Sequence, residues 1–134
     1  MIDIYDRVFA YVYEAVKKLN AEAEVYDAFS QIPPKFPCVT VQELNNTTTA
    51  SIIGTRNKEK FARISYQIDA FSNANTGKRR ECTELMSAIN DALIMLNFER
   101  VSMQPVPNYL DADVYRITAR FEVIADDKNN TYRR

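Results

Sequence analysis

Histidine is absent from the chain, and so is tryptophan. Without an imidazole, the commonest general base and metal ligand is missing, and Ser–His and Cys–His nucleophile pairs are excluded outright. Glycine occurs only twice. A phosphate-cradling loop needs several glycines ahead of Lys-Ser/Thr, and neither Gly54 in IIGTRNK nor Gly77 in NTGKRR supplies that pattern. The two cysteines, Cys38 and Cys82, show no CxxC spacing and read as buried thiols rather than a disulfide or a reactive pair. Neither sign of charge is in excess: 17 basic and 18 acidic side chains give −1. That balance argues against a dedicated nucleic-acid binder and against an acidic disordered chain. The longest mostly apolar run, residues 92–96, is far too short to span a membrane. The opening MIDIYDRVF carries acids where a secretory signal would carry bases. The expectation is a cytoplasmic product with no membrane partner.

What is present is amphipathic pattern. Over residues 3–19, Val8, Val12, Ala15, Val16 and Leu19 recur at helical spacing, with Asp3 as candidate N-cap. A short strand is expected over 24–29. Pro33, Pro34 and Pro37 then interrupt any ladder before CVTVQE at 38–43, where Val39 and Val41 alternate with Thr40 and Gln42. Residues 45–59, NNTTTASIIGTRNKE, read as a loop or projecting hairpin arm. The clearest strand is FARISYQIDAF at 61–71, whose even-numbered positions are all apolar. A second helix is expected over about 75–96, with Asn73 or Asn75 as cap and Cys82, Leu85, Met86, Ile89, Leu93 and Leu96 as its stripe. Lys78, Arg79 and Arg80 near its start oppose the helix dipole by roughly a few tenths of a kcal/mol each and read as a solvated face. Strands follow over 98–104 and 114–125, and the polar tail at about 127–134 is expected to be flexible.

This order predicts one domain over 1–134 of the α+β class: a mainly antiparallel four- to five-stranded sheet, two amphipathic helices on one face, and a projecting arm. No catalytic set rises above background, so no enzyme and no cofactor are expected. The carboxylate pairs Asp126–Asp127 and Asp111–Asp113 suit a hard cation by residue type, but solvated turns are the simpler reading. The basic spots at 56–58, 78–80 and 133–134 are short and interrupted, too weak for specific reading of nucleic acid. What remains is surface: a sheet face carrying Arg63, Asp69, Arg116, Thr118, Arg120 and Glu122, open to solvent or to a partner.

The whole pattern resembles the tail terminator (tail completion, tail-to-head joining) proteins of long-tailed bacteriophages. The residues carrying the resemblance are the N-terminal helix, FPCVTVQE, the TTTASIIGT arm, ISYQIDAFS, the helix after SNANTGK, FERVSMQPVPN, and VYRITARFEVIAD running to Tyr132-Arg133. The resemblance implies a structural virion protein, assembled in the host cytoplasm. Such a protein forms a ring, typically a hexamer, on the head-proximal end of the tail tube. Its partners would be copies of itself, the tail tube protein and the head-completion or connector protein, with DNA passing through the lumen without specific binding. Ile52, Ile53, Arg56 and Lys58 in the arm are the candidate contact with a neighbouring subunit or the tube; Tyr132, Arg133 and Arg134 are candidates for the neighbour or the head side. Two alternatives stay open: another neck component, either a head-completion or adaptor protein or a minor capsid protein, and a small ligand-binding or enzymatic α+β domain.

Overall fold

A computed structural model describes residues 1–27, 33, 35–48, 60–107 and 113–133. In chain order the elements are α1 (Tyr5–Leu19), β1 (Glu24–Tyr26), β2 (Cys38–Thr48), β3 (Phe61–Ser72), α2 (Lys78–Ile94), β4 (Glu99–Pro105), β5 (Tyr115–Asp126) and β6 (Thr131–Tyr132). The sheet runs β1-β2-β3-β5-β4, and β6 adds a short antiparallel pairing to β5. The α+β class holds, with six strands rather than four or five.

Alternation sorts the sheet into two faces. On β3, Ala62, Ile64, Tyr66, Ile68 and Ala70 point inward with Val39 and Val41 of β2 and Ile117, Ala119, Phe121, Val123 and Ala125 of β5. The stripe Val8, Val12 and Val16 of α1 and the stripe from Cys82 to Leu96 of α2 and its end join this one cluster. Both helices therefore cover the same face. Burying side chains of this size contributes about 1.5–3 kcal/mol each relative to leaving them exposed, which makes this cluster the main source of stability. Leu19 departs from the predicted stripe and is half exposed at the end of α1.

The helix ends differ in detail from expectation. The N-cap of α1 is Ile4, with no side-chain cap, rather than Asp3; the Asp3 carboxylate instead accepts from the Tyr5 amide at 3.0 Å, at the first residue of the helix. α2 starts later than predicted, and its N-cap is Gly77 at φ +77°, with no side-chain cap from an asparagine. That left-handed backbone suits a glycine. The α2 stripe ends where Asn97 takes φ +66° and the Phe98 amide reaches back to the Leu93 carbonyl at 3.1 Å, a Schellman-type closure.

The strands hold three details that the pattern did not give. First, β1 and β2 pair in parallel, Glu24 opposite Cys38 and Tyr26 opposite Thr40, in a sheet otherwise antiparallel. The proline-bearing connection is long enough to cross over, as a parallel pair requires. Second, β2 continues to Thr48, so Asn45–Thr48 are ladder partners of β3 and not part of an arm. Polar side chains there mark an exposed strand, since residues 43–45 and 47–48 are open to solvent. Third, the chain turns at residues 127–130 and Thr131–Tyr132 pair back on β5 as β6, where a flexible tail was expected.

Candidate functional site

One end of the sheet holds the two ends of β2 and β3 that flank the 49–59 segment, together with Tyr132. Thr48 pairs with Ala62 where β2 stops and β3 begins, so the two roots of the 49–59 segment are in register at this end. Ile52, Ile53, Arg56 and Lys58 lie outside the described residues, as does Arg134. The segment's return root is fixed: the Asp127 amide donates to the Lys60 carbonyl at 3.0 Å, and the Phe61 ring packs against Tyr132 with centroids 6.2 Å apart. Tyr132 is thus brought to the point where the 49–59 segment rejoins the sheet. Lys60, Phe61, Asp126, Lys128, Asn130 and Tyr132 rim a shallow open pocket of about 450 Å³ there.

The β5–β6 turn is held by its own carboxylate. Asp126 Oδ1 accepts from the Lys128 and Asn130 amides, both at 2.9 Å, and Oδ2 accepts from Asn130 Nδ2 at 3.2 Å and the Tyr132 hydroxyl at 2.8 Å. Burial acts to raise the Asp126 carboxyl, but these donors together hold it below the ordinary carboxylate range. The carboxylate is occupied by its turn, which is a structural role rather than a cation site. Both helices clamp the same turn. Arg7 of α1 donates to the Asn129 carbonyl at 2.7 Å, and Asn97 Nδ2, past the end of α2, donates to the Thr131 carbonyl at 2.9 Å. The sequence reading missed this clamp. The signal was present in DDKNNTY, where turn-forming residues stand between a strand and a β-prone Thr-Tyr.

The opposite end of the outer face is closed, contrary to the expectation of an open mixed-charge surface. Cys38, Phe71 and Val114 form a second small core with Tyr26 and Phe36. Asp69 is fully buried there. It accepts from Arg116 Nε at 3.0 Å, from the Thr118 hydroxyl and from Gln67 Nε2 at 3.1 Å. The Arg116 guanidinium lies 5.8 Å from the Phe71 ring centroid. Thr40, Asp69 and Thr118 are register partners across β2, β3 and β5, a buried polar row. The Thr40 hydroxyl finds no hydrogen-bond partner among the described residues. Further along the same face Arg63 and Arg120 stay exposed.

Neither thiol is built for chemistry. Burial pushes Cys38 up to about 12, with a smaller contribution from Cys82, and burial does the same to Cys82. Almost no thiolate is then present at neutral pH. The Cys82 thiol donates weakly to the Ala70 and Tyr115 carbonyls at 3.5 Å.

The molecule thus offers edges and faces for contact. The family model described as tail completion protein gp17 matches residues 10–126. No curated protein matches the chain. Among solved structures, a chain from a "Virion of native gene transfer agent (GTA) particle" is similar in fold, with TM-score 0.64 at 16% identity, covering 94% of this chain and 99% of that one. That likeness supports the architecture, while the family match spans α1 from Ala10 through the end of β5. The chain therefore belongs to the tail completion protein gp17 family, with a structural assembly role in the tail or neck of a phage particle.

Proposed function

We propose that the chain is a tail terminator. It forms a ring on the head-proximal end of the tail tube, stops addition of tube protein and presents the surface on which the head connector docks. The observation that carries the reading is the tail completion family match over residues 10–126. Two physical features support it. Among the described residues the sheet has two unlike edges without a further strand, which can supply the two unlike surfaces of a head-to-tail ring. Its near-neutral charge suits a lumen that lets DNA slide through without gripping it. In this reading the subunit is assembled in the host cytoplasm and ends in the virion neck. Ile52, Ile53, Arg56 and Lys58 contact the neighbouring subunit or the tube, and Tyr132, Arg133 and Arg134 lie toward the neighbour or the head.

Removal of the protein from an infecting phage tests this. The expected outcome is overlong tail tubes unattached to filled heads, measured by electron microscopy of lysates. Tails of normal length beside leaky heads would overturn the terminator reading in favour of a head-side neck protein.

A further inference from the structure

The two open edges of the sheet carry complementary features. Among the described residues β4 pairs only with β5, and β2 beyond Thr40 pairs only with β3. Each edge strand is interrupted by an irregularity in register, between Arg100 and Ser102 on β4 and between Glu43 and Asn45 on β2. The skipped residue is a solvent-exposed aliphatic in both cases: Val101 at 51% and Leu44 at 40%. Such bulges discourage indiscriminate ladder extension and hand recognition to side chains.

The β4 edge is the receptive one. Besides Val101, Ile94 and Met95 at the end of α2 and Met103 of β4 are exposed, Met95 at 77%. Between the C-terminal end of α2 and β4 lies an open groove of about 370 Å³, lined by Asn90, Ile94, Phe98, Glu99, Arg100 and Arg133. Arg100 bonds the Asn90 side chain at 3.2 Å, and neither Arg100 nor Arg133 pairs with a carboxylate among the described residues. Glu99 is the one acid in the lining.

The β2 edge has the opposite sign. Asp3 and Glu43 lie close enough for the Asp3 charge to act on Glu43, and Asp27 reaches the same corner through Tyr5. Tyr5 donates to the Asp27 and Val41 carbonyls at 3.2 and 3.1 Å. Although Glu43 is exposed as a residue, partial desolvation of its carboxyl and the nearby Asp3 charge push that carboxyl above its ordinary range, offset in part by the Tyr66 hydroxyl that donates to it. An arriving cation relieves that crowding.

We propose that the groove beside β4 receives the distal half of β2 from a second copy of this chain, Leu44 entering between Ile94 and Phe98 while Glu43 and Asp3 face Arg100 and Arg133. The joint rests on the ring reading above and adds to it which surfaces meet. It is heterologous, so each copy uses both edges and the contact repeats around a ring. Apolar area at the centre and charge pairs at the rim are the usual division of labour in such an interface.

The test uses the full chain on purified tail tubes, with rings scored by electron microscopy and folding checked by circular dichroism. Arg100→Glu with Arg133→Glu should abolish rings, and so should Asp3→Lys with Glu43→Lys. All four changes in one chain should restore them, because the charges are exchanged across the joint. Rings that persist in either pair variant would overturn this joint while leaving the ring reading intact. Loss in both pairs without restoration in the combined variant would overturn it too. A wild-type chain that forms no ring on tubes would overturn the ring reading, and this joint with it.

Discussion

Asp69 illustrates what residue-by-residue reading reaches and where it stops. Alternation along FARISYQIDAF places Asp69 on the face away from the helices, and the register confirms that placement. It does not reveal that Cys38, Phe71, Val114, Tyr26 and Phe36 close over this end of the face, because they come from segments far apart in the chain. The carboxylate ends up fully buried with Arg116 on one side and Thr118 on the other. Removing one partner of a buried pair leaves the other's desolvation uncompensated. Asp69→Ala should therefore destabilise the fold by about 3 kcal/mol, measured by urea unfolding. Thr118→Val, which removes one donor, should cost only about 1 kcal/mol. Equal effects of the two substitutions would contradict the pairing described for Arg116. For the thiols the local reading sufficed: Cys38 sits in a strand run and Cys82 on an apolar helix stripe, and both are buried.

At the scale of elements, periodicity located both helices and the four longer strands, and it failed where an element's identity depends on what lies beside it. Asn45–Thr48 is polar and reads as loop, yet it is strand because β3 supplies a ladder. Thr131–Tyr132 is short enough to read as tail, yet β5, Arg7 and Asn97 hold it. This hairpin has a pH signature. The folded state holds the Asp126 carboxyl below its unfolded value, so the stabilisation is present above the ordinary carboxylate range and is lost as pH falls through the depressed folded value. The β5–β6 turn should loosen on acidification, followed by amide exchange at Lys128 and Asn130. Asp126→Asn should abolish that acid dependence and speed exchange at both amides at neutral pH. Protection unchanged in the variant would show that the helix clamps alone hold the turn.

For the whole molecule, the sequence order was enough for the class and for the layer of helices on one face. Which strands form the edges was not legible. Edge identity follows from the strand order β1-β2-β3-β5-β4, and that order follows from pairings between distant segments. The candidate contacts illustrate the same split: the ladder brings Tyr132 to the point where the 49–59 segment rejoins the sheet, whereas Arg133 lines the groove beside β4. If the arm carries assembly, Ile52→Asp with Ile53→Asp should prevent ring formation on tubes while the melting temperature of the free subunit stays within a few degrees of wild type. Rings of normal appearance in that variant would remove the arm from the assembly contacts.

The way the 49–59 segment joins the sheet has a mechanical consequence. The 49–59 segment joins β2 at Thr48 and, through Lys60, β3 at Phe61, and β3 is held along its whole length by β5. A pull on the 49–59 segment along the strand direction therefore loads the β3–β5 ladder in shear, so its hydrogen bonds resist together instead of unzipping in succession. The Asp127–Lys60 bond and the Phe61–Tyr132 contact lie at the point where that load enters. A subunit anchored through this segment would transmit tension into its strongest direction.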